Sequence, residues 1–132
     1  MTEHAEGTFK VEDWQEEDYD SLGDGRRLTR ASVKQAISGD IEGRGSVEWL
    51  MCYRPDKTAD FVGLQHVEGT IGDRSGSFVL RTSGSFDGEV AKGELTVVPG
   101  SGTGELDGID GRGEFRAPLG SEAYVSLDYD LG

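Results

Sequence analysis

The sequence predicts an all-β fold, a closed antiparallel up-and-down meander barrel of eight short strands resembling those that remove their own exposed edges by closure. Three observations carry that reading. Apolar residues alternate with polar ones over many short runs, the period of a strand with one buried face. Turn pairs such as Gly39-Asp40, Gly72-Asp73 and Asp87-Gly88 separate the runs; Asp-Gly in that setting is a strong hairpin signal, because the turn needs positive φ. Glycine is abundant, at 21 of 132 residues, and no convincing helical period appears, which suits tight turns between strands.

Taken in order, residues 5–14 alternate weakly through Ala5, Gly7, Phe9 and Val11 and read as a first strand. Glu16 to Gly25 reads as an acidic polar loop, a lid or a solvated connector. Leu28–Ser38 keeps Ala31, Val33 and Ile37 on one face. Gly39-Asp40 turns it into Ile41–Tyr53, whose odd positions include Val47, Trp49, Met51 and Tyr53. Arg54 to Lys57 is a turn, since Pro55 presets φ. Ala59–Ile71 places Phe61, Gly63, Gln65 and Val67 in phase, and the next strand does the same for Phe78, Leu80 and Thr82. Val90–Val98 is stopped by Pro99, Gly111–Ala117 by Pro118, and Ala123–Leu131 alternates through Val125, Leu127 and Tyr129.

Register follows from the turns. A two-residue turn at Asp87-Gly88 pairs Phe86 with Glu89, which sets Leu80 opposite Leu95 and Phe78 opposite Val97, and Arg81 opposite Glu94 on the other face. A turn at Pro55–Thr58 pairs odd positions with odd ones. The inward row that results mixes bulky residues with Gly63, Gly93 and the nearby Gly84. An eight-stranded barrel is either filled by its side chains or holds one small ligand, and glycines also relieve crowding at barrel corners. Cavity and filled core both stay open. Trp49, Tyr53, Gln65 and Thr82 join apolar area to hydrogen-bonding groups suited to a ligand. Met51, Phe78, Leu80 and Tyr129 complete the candidate lumen contacts.

Composition narrows the function. A formal charge of −13 opposes nucleic acid, whose phosphates call for Lys and Arg, and anionic membrane surfaces. The length suggests one domain over residues 1–132. Cys52 is alone, the N-terminus has no apolar signal core, and no run approaches the roughly 20 residues of a membrane helix. A cytoplasmic location is the expectation. Two His and one Cys make no zinc set, and Asp107, Asp110 and Glu114 lack calcium-loop spacing. The run Gly100-Ser101-Gly102-Thr103-Gly104 lacks the following helix of a phosphate loop. No metal or cofactor is expected.

Glu48, His66, Arg81 and Glu94 share the outward phase. As a catalytic group they would supply a base, an imidazole and an electrostatic stabiliser. As an outer-face charge ladder each pair is worth about 0.2–1 kcal/mol. The ladder is the preferred reading.

The corner Pro99 to Gly111, PGSGTGELDGIDG, resembles the G-[ST]-G-x-[FL]-x-G-x-x-G element of allene oxide cyclase-like and dirigent-like barrels. The chain is similar over nearly its whole length to a bacterial family of unknown function within that superfamily, through GTFKVEDW, LTRASV, SGDIEGRGSVEWLMCYRP, FVGLQHVEGTIGDRSGSFVL, TVVPGSGTGELDGIDGRGEF and SLDYDLG. The resemblance implies a closed eight-stranded meander, often oligomeric, with an apolar ligand at its mouth or lumen. Relatives in the superfamily steer cyclisations or radical couplings without a cofactor, and no matched set of cyclase residues occurs here. The expected function is binding of a small apolar metabolite, with cofactor-free isomerisation or cyclisation as its catalytic form. The alternative is a non-catalytic carrier, or an oligomerisation module with a filled barrel.

Overall fold

The computed structural model describes residues 2–118 and 122–131. Among them the strands are β1 (Glu3–Gly23), β2 (Arg26–Gly39), β3 (Ile41–Tyr53), β4 (Ala59–Ile71), β5 (Arg74–Phe86), β6 (Val90–Val97), β7 (Thr103–Gly104), β8 (Asp110–Pro118) and β9 (Ala123–Asp130). β7 is a two-residue accessory to β5. The other eight run in chain order round one ring, all antiparallel; β1 pairs with β9, and the β4–β5 ladder completes the circuit. The fold is a closed eight-stranded meander barrel.

Alternation builds the core directly. β3 buries Val47, Trp49 and Met51, and β4 buries Phe61, Gln65 and Val67, in an odd-to-odd register that pairs Met51 with Phe61. Ala31, Val33 and Ile37 of β2 and Leu127 and Tyr129 of β9 point into the same core.

Two expectations from the sequence are corrected. Glu16 to Gly25 is not a loop: β1 continues to Gly23 and pairs with β2 down to Gly23↔Arg26. A bulge between Val11 and Asp13 shifts the phase by one residue, so Trp14, Glu16 and Asp18 then oppose the inward Val33, Ala31 and Thr29. Alternation read from Phe9 onward therefore misses the strand. The hairpin at Asp87 also has a longer turn. Phe86 pairs with Ala91, not Glu89, because the Asp87 carboxylate accepts the backbone N–H groups of Glu89 and Val90 at 2.9 and 2.8 Å and folds four residues into the loop. Leu80 thus faces Val97, Thr82 faces Leu95, Arg81 faces Thr96 and Glu94 faces Ser83. A slip of two residues keeps every side chain on its expected face.

The interior glycines serve strand approach. Gly43, Gly69, Gly76 and Gly104 are successive rung partners across β3, β4, β5 and β7. A Cβ on Gly69 would lie 2.0 Å from the Glu42 carbonyl oxygen, and one on Gly76 as close to that of Thr103. This row lets the sheet bend sharply at the end where β4 finishes and β5 begins. The Gly-rich corner closes that end. Leu106 and Ile109 are buried in the core cluster, and Thr103 hydroxyl and Glu105 carboxylate bond the start of β5.

Candidate functional site

The opposite end is open. Among the described residues β1 pairs with β9 as far as Phe9↔Ala123, and from Lys10 onward its partners are those of β2. At this end lie the ends of β5 and β8 and the starts of β6 and β9. Beneath them lies a cavity of about 670 Å³, within the range of small-molecule sites. Further down, a void of about 20 Å³ marks where side chains fill the barrel.

One wall of the cavity is aromatic. Trp49 is the centre, with ring centroids 5.8 Å from Trp14, 5.4 Å from Phe61 and 6.3 Å from Phe115; Phe115 also meets Phe9 edge-on at 6.4 Å. Trp49 is fixed from behind by its Nε1–H, which donates to Thr82 Oγ1 at 2.8 Å. Glycines seat two of these rings. Gly63 is the rung partner of Trp49, where a Cβ would come within 2.5 Å of Trp49 Cδ1, and Gly93 takes Phe115 in the same way at 2.8 Å. Of the glycines that suggested missing volume, Gly63 and Gly93 are therefore covered by neighbouring rings, and Gly84 by the backbone of Lys92 and Gly93. The room comes instead from small residues at the mouth: Ala91 and Ala117, which are rung partners, and Ala123.

The floor carries a buried carboxamide pair. Gln35, 1% exposed, lines both the cavity and the void below, and Gln65 Nε2 donates to its Oε1. The charged lining residues, Lys10 and Glu122, are both exposed at the rim.

Glu16 organises the mouth. Its carboxylate accepts Thr29 Oγ1–H at 2.7 Å, Tyr53 Oη–H at 2.8 Å and Trp14 Nε1–H at 3.0 Å. Burial alone would push the Glu16 carboxyl up, but these bonds and the Arg27 charge outweigh it and hold it below its ordinary value. Tyr53 is pushed up to about 12 by burial and by the carboxylate beside it. Arg27 stacks 4.4 Å above the Tyr53 ring and pairs with Asp18 at 2.7 Å. Two cavity-wall residues, Trp14 and Tyr53, are thus held by one carboxylate outside the cavity.

Of the candidate lumen residues, Trp49, Met51 and Tyr53 line the cavity. Gln65, Leu80 and Thr82 lie one layer deeper, around the small void. Phe78 and Tyr129 are buried and border neither space. Sequence reasoning missed Gln35, although it alternates in phase with Val33 and Ile37, and it missed Glu16 because the bulge conceals its phase. The outward four are exposed and are not direct cross-strand neighbours. Glu48 is bonded by the Ser32 hydroxyl and by Arg30 at 2.7 Å, which hold its carboxyl low; Leu64 separates it from Arg81. His66 sits between Ser46 and Val79, and Glu94 between Ser83 and Glu114. Cys52 is free and exposed. Among the described residues, no group of three or more His, Cys, Asp or Glu is placed to hold a metal ion.

Residues 5–129 match the family described as protein of unknown function (DUF3224). A crystal structure of a protein with unknown function from that family, from Shewanella oneidensis MR-1, is similar over 100% of this chain and 99% of its own, with a TM-score of 0.78 and 25% identity. No curated protein matches the chain.

Proposed function

The chain belongs to the DUF3224 family, and from the open end of its barrel we propose that it binds a small, mostly apolar molecule. The observation that carries the reading is the cavity of about 670 Å³ above a packed floor. A mostly apolar concave wall with a few convergent polar groups is the usual form of a small-molecule site. The likeness of the Gly-rich corner to allene oxide cyclase-like barrels supports this reading, because that resemblance implies an apolar ligand at the mouth or lumen. Catalysis, in this proposal, is a matter of shape: the cavity holds a reactive molecule folded and away from water, as a cofactor-free isomerase or cyclase would. Tyr53, already donating to Glu16, is a positioning group for the wall rather than a free acid.

The protein, in this reading, works in the cytoplasm. Self-association is a second proposal, favoured by an exposed apolar strip on the outer face, where Leu50 and Val62 are rung partners beside Leu64. Native mass spectrometry before and after incubation with a small-molecule extract of host cells tests both. A reproducible added mass is expected, and a converted product mass would make the protein an enzyme. Unaltered mass, together with unchanged emission from Trp14 and Trp49, would refute the binding reading. A monomer across concentration would refute the self-association.

A further inference from the structure

Resting on the cavity-binding reading, we propose that the ligand is a planar aromatic or conjugated ring system carrying a neutral acceptor such as a carbonyl, which receives the Gln35 Nε2–H. The shape of the cavity is the first ground. One wall is the connected set of rings around Trp49, and another is built of Ala91, Ala117 and Ala123. Alanines add little relief to a sheet surface, so beside the rings the lining stays low and leaves room along them. A flat ring can lie against such a wall without losing internal freedom; a flexible chain must give up rotamer freedom to do so.

The chemistry of the wall is the second ground. Trp49, Phe61 and Phe115 already meet one another in tilted and near-stacked arrangements at 5.4–6.3 Å, and a bound ring extends the same set of contacts. Such pairs gain attraction beyond the apolar area they bury. Polarity is the third. The charged lining groups are confined to the exposed rim at Lys10 and Glu122, so the buried part of the ligand is uncharged. At the floor, Gln35 brings an uncharged carboxamide, held by the bond from Gln65, to the cavity lining, and a polar group in an apolar wall selects for a polar partner on the ligand.

Three carbon-matched probes test this: acetylnaphthalene, ethylnaphthalene and methyl decyl ketone, each titrated while the two indole N–H signals of Trp14 and Trp49 are followed by NMR. Acetylnaphthalene is expected to bind about tenfold tighter than the aliphatic ketone, despite the greater apolarity of the latter. It is also expected to bind several-fold tighter than ethylnaphthalene, and Gln35→Leu should erase that second preference. Because Gln35→Leu leaves Gln65 without its partner and risks the fold, Ala117→Leu serves beside it; by narrowing the cavity next to the rings it should weaken both rigid naphthalenes more than the flexible ketone. Equal or tighter binding of the aliphatic ketone would overturn the aromatic assignment while leaving a ligand cavity in place. Equal binding of the two naphthalenes would overturn the role of Gln35. If no probe binds but the host extract adds mass, the proposed ligand class is wrong and the cavity reading survives. If neither binds, both fall.

Discussion

Replacing Glu16 with Gln tests whether a single carboxylate holds the mouth of the barrel. In the native protein Oε2 accepts from Thr29 and Tyr53 and Oε1 from Trp14. An amide retains one acceptor oxygen and turns the other position into a donor, so either Trp14 or the Thr29–Tyr53 pair loses its partner. Hydrogen bonds to ionised acceptors are worth about 1.5–3 kcal/mol each, but Glu16 is half-buried and water replaces part of what is lost. The net destabilisation should be about 1–2 kcal/mol, which lowers the melting midpoint of a chain this size by about 3–10 °C. The pH dependence gives the decisive sign. Glu16 in the folded protein has its carboxyl held below the ordinary 4.5, so the unfolded chain binds its proton more readily. The stabilisation is therefore fully present above pH 4.5 and is lost as pH falls through the folded value. Circular dichroism melts of both proteins from neutral to acid pH should show a gap that closes on acidification, with Trp14 emission altered only in the variant at neutral pH. A gap of constant size at every pH, or none at pH 7, would refute the carboxylate as the organising group.

Other perturbations probe the surrounding structure. Gly63→Ala sets a methyl 2.2 Å from the Glu48 carbonyl oxygen and 2.5 Å from Trp49 Cδ1; overpacking of this kind should cost about 1–3 kcal/mol in thermal melts, whereas Gly72→Asn, at φ +63° with open space, should cost far less. Ultraviolet absorbance of the Tyr53 phenolate, isolated by difference from Tyr53→Phe, should rise near pH 12 rather than 10; the matching stability is complete below pH 10 and lost as pH climbs through the raised value. Ala117→Leu, facing the cavity, should raise stability by about 1 kcal/mol through added apolar burial while weakening ligand binding, and a melt paired with a titration reads both.

The sequence made most of the barrel legible because its strands are paired by short, distinctive turns. β3 and β4 have their expected bounds, since Gly39-Asp40 and Pro55 leave the alternation on either side unbroken. The hairpin after β5 shows what turn signals do not fix. Asp87-Gly88 marks the turn, but the side chain of Asp87 sets its length, and parity alone cannot distinguish registers two residues apart. The far half of β1 was hidden for a different reason. A bulge at Glu12 changes phase within a segment where acidic residues occupy both faces, so no apolar pattern reports the strand. Leu106 and Ile109 were obscured too, because a coiled corner buries residues without any period.

The same division explains where the barrel keeps its stability and where it keeps its space. At the end closed by the Gly-rich corner, bulky side chains such as Ile71, Phe78, Leu106 and Ile109 are nearly solvent-free, and the glycine row draws the backbones together around them. A packed end of this kind has no room to yield, so changes of volume there are felt as strain or cavity. At the other end the rung partners Ala91 and Ala117 forgo apolar contact that larger residues would have made, and Trp14 stays 43% exposed while bound to Glu16. Unfilled apolar volume lowers stability unless something occupies it, and a partly exposed indole fixed by a carboxylate is a wall without a core behind it. The cost at the open end is met by the packing at the closed end. That arrangement supports the proposed site for an apolar guest, which calls for a rigid floor, a preformed wall and space for the guest to complete.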